Sequence, residues 1–316
     1  MFGLFVCLLR SNHKIMRYFI LSVLLTVSLY LLMRAFPRYG VQPLHAVLFN
    51  YFSCVAMGLL LSEGGGSFSG LNWTSTGTLF TLGLGVVFVL SFLLIGQTTQ
   101  QSGVTTASLA SNLSLVIPVL FGLFVFKNSN KVFTIFNYLG LLLAVRAVGL
   151  NAIKKEAKES QTPNSWLVWA LPVLLFFVNG TSNTLVNYVS STFYQPNQGA
   201  FLTMIACTGS AVFAMLVLGF RILAYSEKVH LKSVVGGLLL GVINFLSFYF
   251  LLATLRDFGN SAAFVFPIYN ILCILVSSLL AFLWFGETLQ PLNKWGLALA
   301  VVAILLISYQ EIGIRF

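Results

Sequence analysis

Ten largely apolar stretches follow one another along the 316-residue chain, at 18–33, 41–61, 75–96, 103–126, 131–151, 166–189, 199–223, 231–255, 260–285 and 291–309. A helix needs about 20 such residues to cross the hydrocarbon core of a bilayer. Ten crossings consume most of the chain and leave no length for a soluble domain. Composition points the same way. Hydrophobic residues make up 58% and charged residues 8%, with a mean hydropathy of +0.95, whereas a soluble domain carries about 25% charged residues. The net charge of +10 is scattered between the apolar runs, as expected of loop and headgroup charges rather than of a nucleic-acid surface.

The expected fold class is an all-α integral membrane protein with ten transmembrane helices in two inverted five-helix repeats. The lysine-rich segment from Lys154 to Glu159, ending in Thr162-Pro163-Asn164, divides the crossings five and five. The expected organisation is an N-terminal tail at 1–17, a first repeat at 18–152, a polar linker at 153–164, a second repeat at 165–310 and a tail at 311–316. Residues 2–9 are too short to span and carry no signal-peptide cleavage pattern, and Met16-Arg17 is an alternative start to Met1. Gly64-Gly65-Gly66 breaks the chain after the second crossing, and Pro291 after Thr288 suits a helix start, where a missing amide costs little.

The halves also resemble each other. A shift of 156 residues lays Gly103 on Gly259, Ala107 on Ala263, Phe126 on Phe282 and Asn137 on Asn293. The same shift lays Gly140-Leu141 on Gly296-Leu297 and Ala144-Val145 on Ala300-Val301. Five is odd, so two related halves enter the membrane in opposite senses, the inverted-topology arrangement of secondary transporters.

In Gly259-Asn260-Ser261-Ala262-Ala263, Pro267, Phe285-Gly286-Glu287-Thr288 and Trp295-Gly296, the chain resembles the drug/metabolite transporter superfamily, specifically the EamA-like permeases. The stretch matches that family's end-of-repeat pattern: a small-residue helix with a proline, a Gly-Glu turn and a glycine-bearing last helix. A weaker copy runs through 103–110, Pro118 and Gly140, with Phe126-Lys127-Asn128-Ser129-Asn130-Lys131 in place of the acidic turn. The resemblance covers about residues 18–310. It implies a ten-helix carrier of amino acids, other metabolites, nucleotide sugars or drugs, often outward, with both termini cytoplasmic in a bacterial inner membrane.

A polar group in hydrocarbon needs a protein partner or a wet cavity, so polar clusters inside the crossings are the candidate pathway. Asn112 stands among Thr105, Thr106, Ser108, Ser111 and Ser114 after Gln97-Thr98-Thr99-Gln100-Gln101; small-residue helix packing uses the same residue types. In the sixth crossing Asn179, Asn183 and Asn187 recur every four residues, beside Tyr188. They form either a cavity stripe or an interhelical ladder, and cavity lining is the favoured reading. The eighth and ninth crossings add Asn244, Tyr249, Tyr269 and Asn270, with Ser247, Ser277 and Ser278. Asn50 and Tyr51 are weaker additions. Pro118 and Pro267 are the helix-kink candidates.

No carboxylate falls at a helix centre, which disfavours a proton-coupled cation antiporter. Arg146, the basic residue well inside a crossing, is read as snorkelling. Asp257 beside Arg256 is read as a local ion pair. With the N-terminus inside, seven basic residues fall on the cytoplasmic side and nine on the other, a slight lean against the orientation the resemblance implies. Cys7, Cys54, Cys207 and Cys273 have no zinc or redox spacing, and with three histidines no metal and no cofactor is expected.

The expected function is a secondary transporter, an exporter of a small polar metabolite such as an amino acid, working through a central uncharged polar cavity. The alternatives are a lipid-carrier or glycolipid flippase and a structural membrane subunit. No hydrolase, zincin or P-loop motif is present, so no enzyme is expected. The expected partners are a small-molecule substrate and membrane lipid, with a monomer favoured and no nucleic acid.

Overall fold

The computed structural model describes residues 13–61, 73–124, 134–152, 165–195, 198–257 and 262–310. Gly64-Gly65-Gly66, the turn at 127–131, the linker 153–164, Gly259-Asn260-Ser261 and both tails (1–12 and 311–316) lie outside the described residues. Among the described residues the chain is helical and contains no strand. That is what lipid demands, since a helix satisfies its own backbone while an open sheet edge does not.

In chain order the helices are α1 (His13–Ala35), α2 (Pro43–Leu61), α3 (Thr76–Gln101), α4 (Val104–Leu113), α5 (Val116–Phe124) and α6 (Ile135–Ala152). Then follow α7 (Ser165–Phe193), α8 (Gly199–Tyr225), α9 (Leu231–Asp257), α10 (Ala262–Phe285) and α11 (Pro291–Ser308). Among the described residues nine segments, with α4–α5 taken as one, are long and apolar enough to cross a membrane, and α6 supplies a shorter apolar helix, Ile135–Asn151. The chain is an all-helical integral membrane protein. Pro291 occupies the first helical position of α11, as the sequence predicts.

The fourth apolar run, which carries the kink candidate Pro118, is two helices broken at Ser114-Leu115. Pro118 is the cause: it has no N–H for the Ser114 carbonyl, and its ring crowds that carbonyl. Ile117 N–H bonds Ser114 O instead, at 3.0 Å, in a tightened turn. Pro267 is tolerated within α10, and Pro172 within α7. Pro267 is the sixth residue of its helix, so the bond it forgoes falls in the second turn.

The α4 helix is buried along its whole length and packs against α7 and α10. Its Thr, Ser and Ala side chains are short enough to admit neighbours on every side. Around it, α6 lies along α11, α2 along α9, and α3 along α8; α9 also packs on α1, and α3 on α7. The closest approaches need glycine. A Cβ on Gly85 would stand 2.2 Å from Ser210 N and 2.8 Å from Ala206 O, and one on Gly241 would stand 2.1 Å from Asn50 O and 2.6 Å from Ser53 Cβ. Where α6 meets α11, Gly140 faces Ala303 O and Ile307, and Gly296 faces Ala147 O and Asn151. Asn137 Nδ2 donates to Ile307 O at 2.9 Å and Asn293 Nδ2 to Asn151 O at 3.4 Å.

Candidate functional site

A cavity of about 230 Å³ lies between α2, α3, α7, α8 and α9. Its floor and walls combine Tyr51 and Cys54 from α2 with Phe88, Ser91 and Phe92 from α3. Asn179, Ser182, Asn183 and Val186 come from α7, Leu202, Thr203 and Cys207 from α8, and Asn244, Phe245 and Phe248 from α9. None of these lining residues is acidic, basic or histidine. Cys54 Sγ lies 3.4 Å from Gly241 O.

The polar groups divide into engaged donors and open positions. Asn179 Nδ2 donates to Ser111 O at 3.0 Å and Ser114 Oγ at 3.1 Å, and Asn183 Nδ2 donates to Ser114 Oγ at 3.3 Å. The two amides therefore satisfy the end of α4 where Pro118 interrupts the crossing. Asn244 Nδ2 donates to Asn50 Oδ1 at 3.2 Å. With the three NH₂ groups engaged, each amide's Oδ1 remains to accept. The Tyr51 and Ser91 hydroxyls are buried, with residue exposures of 1% and 4%, and have no hydrogen-bond partner among the described residues. A buried, unpaired hydroxyl costs about 1–3 kcal/mol.

Of the nine candidate residues read from the sequence, the fold brings Asn179, Asn183 and Asn244 together at the cavity. Asn187 continues the row but is exposed, because each four-residue step on a 3.6-residue helix turns the face by roughly 40°. Tyr188 is 39% exposed beside it. Tyr249, five residues from Asn244, points to the opposite side and is 42% exposed. Asn112 is buried against its own helix, donating Nδ2 to Ser108 O at 2.7 Å. Tyr269 shares a 2.5 Å hydrogen bond with Thr26 Oγ1 of α1, and Asn270 is buried on the same helix, which does not reach the cavity. Arg146 is exposed on α6, and the side chains of Arg256 and Asp257 lie outside the described residues. Ser91, Thr203 and the four phenylalanines escape a sequence reading, since 30 Phe are spread over the chain and nothing local distinguishes these.

Charge collects at one end of the bundle, where α1 gives way to α2. Glu287, in the turn before α11, accepts from Val104 N–H at 3.0 Å and 3.1 Å and faces Thr105 N–H. Its carboxylate thus caps α4, where the helix dipole favours an anion. Gly103 leaves room for it: its φ is +99°, and a Cβ there would stand 2.9 Å from Glu287 Oε2. Arg34 Nε lies 3.6 Å from Glu287 Oε1, and its NH1 donates to Thr99 O at 3.1 Å and to Gln100 O. One carboxylate and one guanidinium thereby tie α1, the α3–α4 turn and the α10–α11 turn together. At the same end Arg221 Nε donates to Glu227 Oε2 at 2.5 Å, and buried His45 Nε2 lies 3.3 Å from Glu227 Oε1. At the opposite end, Thr81 Oγ1 meets Tyr194 OH at 2.8 Å and Phe80 stacks on Phe193.

The hydrogen bond from the Arg221 guanidinium holds the Glu227 carboxyl below its ordinary value of 4.5. A depressed carboxyl stabilises the fold above its unfolded pKa, and that contribution is lost as pH falls through the lower, folded one. Glu227→Gln is therefore expected to separate from the native chain in thermal midpoint at pH 7 and to converge with it as pH drops below about 4. A constant gap across that range would show that ionisation of Glu227 is irrelevant.

No family model matches the chain. An uncharacterized protein of Haemophilus influenzae is 23% identical over 310 residues, covering 94% of this chain and 99% of its own length. A protein of known crystal structure superposes with a TM-score of 0.57 at 14% identity, over 97% of this chain and 100% of its own. The likeness runs end to end, so the whole arrangement of helices is a fold already seen in a crystal.

Proposed function

We propose that the protein is a secondary transporter of the drug/metabolite superfamily, an EamA-like exporter that moves a small polar metabolite by alternating access. The observation that carries this reading is the cavity: it lies between helices of both halves and is bounded by neutral hydrogen-bonding residues, among them Tyr51 and Ser91, whose buried hydroxyls have no partner among the described residues. Substrate sites of such carriers lie near the membrane midplane at the repeat interface.

The inverted repeat is supported by the contacts themselves. Gly85 against Ala206 becomes Gly241 against Asn50 when each residue is exchanged with the one 156 positions away. Gly140 against Ala303 and Ile307 becomes Gly296 against Ala147 and Asn151 in the same way, and so does Asn137 donating to Ile307 O and Asn293 to Asn151 O. Two halves that trade roles under one shift can adopt mirror-related states, open first to one side and then to the other. The Arg34–Glu287 contact, which joins elements of the two halves, is then one that alternates between the two states. On this reading the chain is a monomer in a bacterial inner membrane with both termini cytoplasmic.

The flippase alternative needs a cationic headgroup site. Arg34 is paired to Glu287, Arg38 stacks 4.8 Å over the Phe285 ring, and Arg146 is exposed on α6; these three cations do not converge on the cavity. The test is flux. Proteoliposomes loaded with a mixed metabolite pool are expected to release a subset of it, about tenfold more slowly with Asn183→Ala or Asn244→Ala, one lost hydrogen bond being worth roughly 1.4 kcal/mol. Unchanged release by both folded variants would detach the cavity from transport.

A further inference from the structure

We infer that the cavity takes an uncharged, planar ring compound bearing N–H donors, such as an aromatic carboxamide, a lactam or an aminoheterocycle. This rests on the carrier reading above and narrows it.

Three observations converge. The first is charge. The lining holds no acidic or basic side chain and no histidine, so a carboxylate or a fixed cation would leave water for a site with no counter-charge. The second is polarity. The Nδ2 groups of Asn179, Asn183 and Asn244 are already donating, which leaves their oxygens to accept, while the Tyr51 and Ser91 hydroxyls are unpartnered. Such a site offers amide oxygens that accept and hydroxyls that both donate and accept, and so suits a group that does both, such as a carboxamide or lactam; a carboxylate, which only accepts, would leave the amide oxygens unpaired. The third is shape. Tyr51, Phe88, Phe92, Phe245 and Phe248 wall the space with rings, which favour stacking or edge contacts with another flat π system. An apolar cavity of about 150 Å³ holds one benzene, so about 230 Å³ suits one or two fused rings. Aromatic faces also attract cations, and a fixed cation on the same ring is therefore the sharpest control.

The experiment uses the purified full chain in nanodiscs with four probes: nicotinamide, nicotinate, 1-methylnicotinamide and adenine. Nicotinamide and adenine are expected to raise the thermal midpoint in a concentration-dependent way. Nicotinate and 1-methylnicotinamide, which keep the ring and add one charge of either sign, are expected to bind at least tenfold more weakly than nicotinamide. Ser91→Phe, which fills the cavity, should abolish the shift; Thr203→Trp does the same from α8 if the first variant does not fold. Equal or tighter binding of either charged probe overturns the inference. So does the lack of a shift with both neutral probes, or a shift that survives cavity filling. If only charged metabolites are released from proteoliposomes in a cavity-dependent way, this ligand class falls and the carrier reading stands. If no metabolite is released in that way, the carrier reading itself falls.

Discussion

Glu287→Ala is expected to destabilise the detergent-solubilised protein by about 2–3 kcal/mol. The substitution removes hydrogen bonds from Val104 and Thr105 N–H to a charged acceptor, each such group being worth roughly 1.5–3 kcal/mol, and it strips α4 of its cap. It also leaves Arg34 without its carboxylate. Glu287→Gln keeps an acceptor at the helix end and should lose about half as much. A double-mutant cycle with Arg34→Ala separates the two roles. At 3.6 Å, with the side chains 29% and 15% exposed, the ion pair alone should couple by only about 0.5–1 kcal/mol, so most of the loss belongs to the cap. The second readout is access. A cysteine placed at Thr99, beside the contact, should be alkylated faster in the Glu287→Ala background. Native stability together with native alkylation would mean that this carboxylate holds nothing closed.

The helix crossings should be less forgiving still. Gly85→Ala and Gly241→Ala each set a methyl group against backbone atoms 2.1–2.2 Å away. Backbone has no alternative rotamer, so each pair of helices must separate along its length. We expect a cost of about 3 kcal/mol or more for each, seen as loss of monodisperse protein or a collapse of the thermal midpoint. Gly83→Ala and Gly219→Ala are the internal controls, because nothing lies within 4 Å of either new methyl; they should be neutral or gain up to about 1 kcal/mol of helix propensity. Similar behaviour from all four variants would mean that close approach is not what these positions are for.

Much of this architecture is legible in the sequence because lipid imposes a coarse grammar. A run of about 20 apolar residues has few other fates, and Pro118 stands just after the break in the fourth run. The repeat offset found through Asn137 and Asn293, or Gly140 and Gly296, is the same offset that relates their contacts in three dimensions. The site is only half legible, and the reason is rotational. Asparagine in an apolar helix signals a partner or a cavity but not which, and four-residue spacing drifts round the helix. Asn179 and Asn183 therefore face the cavity while Asn187 does not. Asn112 finds its partner one turn back at Ser108, a local solution that spacing alone does not separate from cavity lining. The aromatic walls are invisible for another reason: Phe88 and Phe248 differ from the chain's other phenylalanines only by what stands across from them, which is tertiary information.

The pairing of α6 with α11 has a consequence for biogenesis. Gly140 and Asn137 leave the ribosome roughly 10–30 s before Ile307 and Ala303 at ordinary elongation speeds, since about half of the chain separates them. Throughout that interval α6 waits in the bilayer beside the translocon with its eventual neighbour unmade. The α6–α11 seam therefore closes late in synthesis, and a nascent chain stalled anywhere before Pro291 would present quality-control proteases with a half-finished seam.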